Sequence, residues 1–431
     1  MLNSGKGGLR LAAAALAAAY SVAGGAAHGS PAEAPDAVKN GDDGYNILLI
    51  TTDQERYFDQ YPQGTSYKAR ELLAELGTTF EKHYTCANMS TSSRSVIYTG
   101  LHIPQTRLLD NTDVAWQQPL STEMTTVGDR LREAGYYTAF KGKWHMGGGG
   151  ILGLHEDNLT DLEEYGFSDW GGTDYVGTLY EGLNADPIIA SEAVEWLEGT
   201  GMALNGEGRS FFLAVNMVNP HDIMNYDDSG YQSGLLALGG KPDSPVYDRT
   251  YDDPAPSSWD FDLSAPDVPE AQKERLCEGL PGSSLMDLMD GSRQTVREGA
   301  LFCYESLLMS AVLVDVAPDK SMSYQIDLTK RGMVRGLITE DYKFVRYFSP
   351  LEFNTPQTLE ELYALNDVQL FDLRRDPQEL NNLAADPEAN GELILELNAE
   401  LNRLIEAEIG RDDGQEVAAV LQAFQAGKSG T

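Results

Sequence analysis

The chain has 431 residues, 42% of them apolar and 23% charged, which is enough for a large core and for one big domain with a smaller one beside it. Its net charge of -36 at pH 7 excludes a nucleic-acid binder and an anionic-membrane binder, because such a surface repels polyanions. Three cysteines, Cys86, Cys277 and Cys303, are too few for a disulfide framework and allow at most one bridge.

Residues 1–27 read as a secretory leader. Lys6 and Arg10 form a basic start, "LAAAALAAAYSVAGGAA" follows as an apolar run ending in small residues, and cleavage is expected near Ala27. A secreted or periplasmic location with no membrane contact after cleavage follows from that. Residues 28–44 are rich in Pro, Gly, Ala and Asp and are expected as a disordered linker. A first domain is expected over 45–295 and a second over 296–431.

"YNILLITTD" predicts a buried parallel strand that ends on Asp53, at the strand end where ligands gather in open α/β sheets. "SYKARELLAELG" predicts an amphipathic helix closed by Gly77, and another helix is expected from Ser93 to Gly100. "TTVGDRLREAG" predicts a helix and "YYTAFKGKWH" a strand running into a loop. "ASEAVEWLEGTG" and "SFFLAVNMVNPHD" repeat helix then strand, so an α/β sheet flanked by helices is predicted. Residues 242–270, rich in Asp, Ser and Pro, read as a loop. "MVRGLITEDYKFVRYFS" predicts a hairpin turning near Glu340 and Asp341, and "DVQLFDLRRDP" a further antiparallel strand. A helix over "GELILELNAELNRLIEAEI" is expected to end the fold.

Four polar clusters stand at strand ends or helix starts. They are Asp53; the hydroxyl run Ser90–Arg94; Lys143 and His145 in "KGKWH"; and His221 in "NPHD". One carboxylate for a hard cation, a hydroxyl nucleophile, two cationic anchors and two imidazoles suit attack on a tetrahedral oxyanion ester.

The ordered motifs "S-T-S-S-R-x4-T-G", "GKWHMGG", "NPHD" and "QLFDLRRDPQELNNLA" resemble those of the type I sulfatases of the alkaline-phosphatase superfamily, over about residues 46 to 386. The resemblance implies an α/β fold with an alkaline-phosphatase-like mixed sheet sandwiched by helices and a smaller C-terminal antiparallel sheet plus helix. It implies hydrolysis of a sulfate ester, of a carbohydrate or a small molecule. Ser90, four before Arg94, is the position that a maturase would oxidise to formylglycine. Asp53, Gln54 and Ser90 would ligate one divalent cation, Ca2+ by its preference for oxygen. Arg94 would orient the modified residue, Lys143 would hold sulfate oxygens, His145 would contact the nucleophile, and His221 would assist the leaving oxygen. The family's motif proline is Ser92 here, and no "DHG" or "DNG" block follows "NPHD". Asp252, Asp253, Asp260 and Asp262 are candidate substitutes for that block. "CEGLPGSSLMDLMDG" at 277–291 resembles a segment that lies beyond it in relatives. Two other readings stay open: a non-catalytic homologue that binds an anionic ligand, and a phosphoesterase that attacks directly with a hydroxyl.

Overall fold

The computed structural model describes residues 11–15, 45–58, 67–147, 161–177, 181–225, 297–316 and 322–428, apart from 56, 81–82, 115, 298 and 309–310. The chain forms two compact units. The first combines Met1–Tyr67, Thr125–His145 and Asn158–Asp262; the second combines Lys68–Met124, Met146–Asp157 and Leu263–Thr431. Residues 226–296 lie outside the described residues, and with them the 242–270 loop, the four candidate aspartates, Cys277 and the 277–291 segment.

The first unit is built on a parallel sheet in the order β1-β2-β4-β3, formed by Leu11–Ala15, Asn46–Thr51, Phe211–Asn216 and Tyr137–Gly142. Strand β4, "FFLAVN", is buried at every position, as a central strand covered on both faces must be. Alternate residues then serve different layers. Ala139, Leu213 and Val215 pack against helix α5 (Glu181–Trp196; helices are numbered in chain order below) through Ala185, Ile189, Ala193 and Trp196. On the opposite pleat, Phe140 and Phe212 meet Phe167, whose ring centroid lies 5.3 Å from that of Phe140 and 6.2 Å from that of Phe212. Residues 11–15, expected in the leader, run as a strand in parallel register with β2, Leu11 opposite Asn46 and Ala15 opposite Ile50. A short Ala-rich apolar run meets the needs of a leader and of an edge strand equally well, so composition does not separate the two.

The second unit holds helices α1 (Lys68–Leu76), α2 (Ser90–Thr99) and α3 (Ile103–Thr106), while α4 (Val127–Glu133) and α6 (Met202–Gly206) belong to the first. Its main sheet is antiparallel in the order β10-β9-β8-β5, from Asp367–Asp372, Tyr342–Phe348, Met333–Ile338 and Ala300–Glu305. A separate two-stranded ribbon, β6 (Ala311–Val316) with β7 (Met322–Ile326), lies beside it in the chain. Helix α7 (Leu359–Leu365) and the long α8 (Pro387–Glu408) close the core over Leu301, Leu337, Phe344 and Leu370. Helix α8 does not end the fold: α9 (Gln415–Lys428) follows, burying Val417 and Val420 among Ala87, Trp116, Met333 and Phe348. Its apolar stripe is short and alanine-rich, which left little periodic signal.

The second core also buries charge. Arg335 on β8 is fully buried and ion-paired with Glu305 on β5 and with Asp412. Burial, the largest influence, pushes the Glu305 carboxyl up to about 8 against the pull of Arg335.

Candidate active site

In the first unit the polar residues stand at the C-terminal ends of three adjacent parallel strands. Asp53 follows β2, Lys143 follows β3, and His221 opens a single turn of 3-10 helix (His221–Asn225) after β4. Asp53, Lys143, His145 and His221 are all buried, with Asp53 and Lys143 at 0% exposure. The Lys143 ammonium donates to Asp53 Oδ2, so the structure joins these two predicted residues directly. Burial pushes Lys143 well below the usual lysine range, and Asp174, Glu181 and Asp186 push the other way.

Backbone geometry explains how these side chains are held. Gly142 sits at φ +79°, and a Cβ there would lie 2.3 Å from the Asn216 carbonyl oxygen, so only glycine lets β3 turn into the Lys143 loop. Among the described residues, three of the six non-glycine positions with positive φ fall at predicted site positions or beside one: Gln54 at 57°, Met89 at 67° and His145 at 50°. Such conformations cost of order 1–3 kcal/mol each, and they cluster at functional sites. The His145 turn is paid for by Asp174, whose carboxylate accepts the amides of Trp144 and His145, each at 2.9 Å. The Trp144 ring packs on Phe140, Tyr165 and Phe167 and anchors the same turn.

The turn before His221 is clamped in the same manner. Asp186 on α5 accepts the amides of Val218 at 2.6 Å and Asn219 at 2.9 Å, and Asp222 returns the contact by accepting those of Gly182 and Leu183. Burial raises the Asp186 carboxyl despite those two amide bonds. Neither Asp174 nor Asp186 was singled out from the sequence. An acid whose work is to hold a distant amide has no periodic or motif signature.

In the second unit, helix α2 begins at Ser90 rather than Ser93, and its N-cap is Met89, which makes no side-chain cap bond. The hydroxyl run does not cap the helix, because these residues lie inside its first turns and are buried. Ser92 Oγ donates to the Leu109 carbonyl, the Thr91 amide donates to Asn111 Oδ1, and the Thr112 amide donates to Thr91 Oγ1. Ser95 Oγ donates to the Ser92 carbonyl at 2.7 Å. The hydroxyls thus lock α2 to the 109–112 loop. Ser90 and Arg94, both 1% exposed, are one turn apart and share a helix face. Asp110 carries the lock further. It is fully buried, accepts from Trp116 Nε1, Leu307 N and Leu308 N, and is hydrogen-bonded by the Ser306 hydroxyl.

Gln54 is exposed. Among the described residues, no group of three carboxylate, imidazole or thiolate ligands converges at Asp53, and the Lys143 ammonium stands against its carboxylate. The described residues of this unit do not by themselves make a divalent-cation site. Cys86 and Cys303 are both free thiols, and burial raises both.

The profile of the family described as Sulfatase matches residues 45–233. An uncharacterized sulfatase of Escherichia coli is 27% identical over 219 residues, covering 43% of this chain and 41% of its own length. An arylsulfatase of Klebsiella aerogenes is 32% identical over 143 residues, 31% of this chain and 28% of its own. This chain thus aligns with less than half the length of these curated relatives. A crystal structure from Bacteroides thetaiotaomicron, described as that of a sulfatase, superposes with a TM-score of 0.52 at 16% identity, over 86% of this chain and 93% of the other. That likeness shows the fold: α/β, with a parallel sheet and a separate antiparallel C-terminal sheet.

Proposed function

Because this chain belongs to the sulfatase family through residues 45–233, we propose that it is a sulfuric ester hydrolase acting on the sulfate ester of a carbohydrate or small molecule. The observation that carries this reading is the burial of Lys143, His145 and His221 at the C-terminal ends of adjacent parallel strands. A core gains nothing from a lysine and two imidazoles there, since a buried charge costs several kcal/mol (order of magnitude) even when paired. An anionic ligand recovers that cost.

In this reading Lys143 binds sulfate oxygens, exchanging part of its contact with Asp53 for the ligand. His145, fixed by the Asp174 clamp, handles the proton of the nucleophile, and His221, fixed through Asp186, delivers a proton to the leaving oxygen. Ser90, buried at the first position of α2 with Arg94 one turn on, is the residue a maturase would oxidise. Formylglycine, when formed there, supplies a hydrated aldehyde as nucleophile with a second hydroxyl for release. No step is assigned to a Ca2+ ion at Asp53, given the ligand set described above. Secretion into the periplasm or beyond is part of the same proposal.

That ligand set favours one second reading, a homologue that binds an anion through Lys143 and turns nothing over. Two measurements on the full chain from its own source separate them. One is hydrolysis of 4-nitrophenyl sulfate against 4-nitrophenyl phosphate. The other is mass spectrometry of the tryptic peptide His83–Arg94. The sulfatase reading expects sulfate turnover that Ser90→Ala abolishes, with a two-hydrogen deficit at Ser90. An intact Ser90 with sulfate binding but no turnover would overturn it in favour of the second.

A further inference from the structure

The chain has three cysteines in 431 residues, and the fold brings two of them into direct backbone contact. The Cys303 amide donates to the Cys86 carbonyl at 3.0 Å. Cys303 lies in β5, which ends the sheet order β10-β9-β8-β5 among the described residues, and it faces Arg335 of β8 on the inner side. An edge strand points alternate amides away from its neighbour, and this one is taken by the segment that leads into α2. A second contact follows along the same segment, where the Tyr304 hydroxyl donates to Met89 Sδ at 3.6 Å. Residues 86–89 thus lie against β5, and Ser90 comes next in the chain. All of these residues belong to the second unit.

Cysteine is also a small apolar filler, and Cys303 packs as one among Leu301, Leu337 and Phe344. That role calls for no second thiol beside it. Amide–carbonyl bonds between paired strands hold facing Cα atoms about 5.5 Å apart. A disulfide spans about 4.4–6.8 Å between its Cα atoms, so the backbone contact already meets its reach. Burial, the largest influence, raises the Cys303 thiol, and a charge on Cys86 is near enough to add to that rise. A disulfide carries no charge, so the burial that disfavours either thiolate does not oppose the finished bond.

We propose that Cys86 and Cys303 form a disulfide that ties the segment before Ser90 to the edge of the second sheet, leaving Cys277 as the odd thiol. The oxidant is itself a disulfide, RS–SR, of a small thiol or of a dithiol protein. Cys86 is the point of entry, since it is half-buried while Cys303 is 0% exposed. Burial raises the Cys86 thiol too, and the charge of Arg297 pulls it back down. The Cys86 thiolate attacks RS–SR, forms Cys86–S–SR and releases one RS⁻. The Cys303 thiolate then attacks the Cys86 sulfur, closes the bond and releases the second RS⁻. The two thiol protons end on two RSH, so the pair is oxidised by two electrons and the oxidant is reduced by two. For the site the consequence is positional: the bond holds the strand-edge segment whose last residue, Met89 at φ 67°, sets the entry into α2.

The test uses the full chain, purified without reductant and equilibrated with oxidised glutathione. Remaining thiols are blocked with N-ethylmaleimide in denaturant, and the protein is digested with trypsin. The three cysteines fall in separate peptides, His83–Arg94, Leu276–Arg293 and Glu298–Lys320. The expected result is His83–Arg94 joined to Glu298–Lys320, two hydrogens lighter than the sum of the free peptides, with the maleimide on Cys277. The reduced digest reads any change at Ser90 separately, so this proposal and the sulfatase reading stand or fall apart. Reduction of the folded protein should lower its Tm by about 5 °C or more. Cys86→Ser should abolish that sensitivity and Cys277→Ser should keep it; Cys303→Ala gives the same comparison if Cys86→Ser fails to fold. Maleimide on both Cys86 and Cys303 would overturn the proposal. So would a bridge from either of them to Cys277, or a response to reduction that survives both substitutions.

Discussion

Asp110→Ala should destabilise the second unit severely, and the loss can be worked from its contacts. The carboxylate takes the Trp116 indole N–H at 2.7 Å, the Leu307 amide at 3.0 Å and the Leu308 amide at 3.2 Å on one oxygen, Oδ2. Its other oxygen accepts the Ser306 hydroxyl. Alanine leaves three buried N–H donors without that acceptor, at about 1–3 kcal/mol each. Part of that is returned, because a desolvated charge disappears with them. Burial, the largest influence, raises the Asp110 carboxyl despite its hydrogen bonds. The net expectation is a loss of about 3–5 kcal/mol. With a urea slope of about 2 kcal/mol per molar, the unfolding midpoint should fall by about 2 M. Asp110→Asn is the discriminating partner. Its carbonyl oxygen at the Oδ2 position keeps all three N–H donors, and its amide can donate to the Ser306 hydroxyl oxygen, so the cost should stay below about 1 kcal/mol. The sign of the pH effect follows from the raised carboxyl. The folded protein holds this proton more tightly than the unfolded chain, so ionised Asp110 costs stability as pH climbs above the ordinary carboxylate range. Asp110→Asn should therefore gain on the wild type between pH 4 and pH 7. Urea unfolding followed by Trp fluorescence, with Trp116 as a local reporter, measures both. An alanine cost under 1 kcal/mol, or an asparagine cost equal to it, would refute the account of Asp110 as an acceptor.

Two further outcomes are expected. Burial alone would raise Glu408, but hydrogen bonds from His102 at 2.8 Å and Arg297 at 2.6 Å, with the charge of Arg297, hold it below its ordinary range. Its stabilisation is present above the ordinary glutamate range and is lost as pH falls through the depressed value. Glu408→Gln should accordingly cost about 1–2 kcal/mol at pH 7 and flatten the acid limb of the Tm–pH curve; an unchanged limb would count against the pairing. Asp174→Ala should speed hydrogen exchange at the Trp144 and His145 amides, whatever the activity, and lower any sulfate-ester turnover at least tenfold. Asp174→Asn, which keeps a single acceptor oxygen, should fall between the two, and protected amides in the alanine variant would show the clamp to be idle.

Much of the fold was legible because its signals are local. An apolar run closing on Asp53, a strand closing on "GKWH" and another on "NPHD" mark strand ends by polarity alone, and the structure sets those ends side by side in one parallel sheet. The hairpin at 333–348 and the helix at 387–408 were likewise written in period-2 and period-3.6 patterns. The hydroxyl run of α2 shows where this stops. From its composition it reads as a cluster of free hydroxyls, yet those of Thr91, Ser92 and Ser95 find partners in the 106–112 segment, which a local window does not see.

What the sequence by itself determined is the strands that close on Asp53, "GKWH" and "NPHD", the hairpin at 333–348, and the residue types delivered to the strand ends, because burial and periodicity act over a few neighbours; the strand at 11–15 and helix α9 were not among them. What only the tertiary structure decided is how those residues are held. The left-handed turns at Gln54, Met89 and His145 sit on residue types that announce no such conformation. The Asp174 and Asp186 clamps span about thirty residues of chain, and the meeting of Glu305 with Asp412 and Glu416 spans more than a hundred. A hydrogen bond or a shared charge between distant residues needs one acceptor in one place. It imposes no repeat along the chain, so it becomes visible only when the chain is folded.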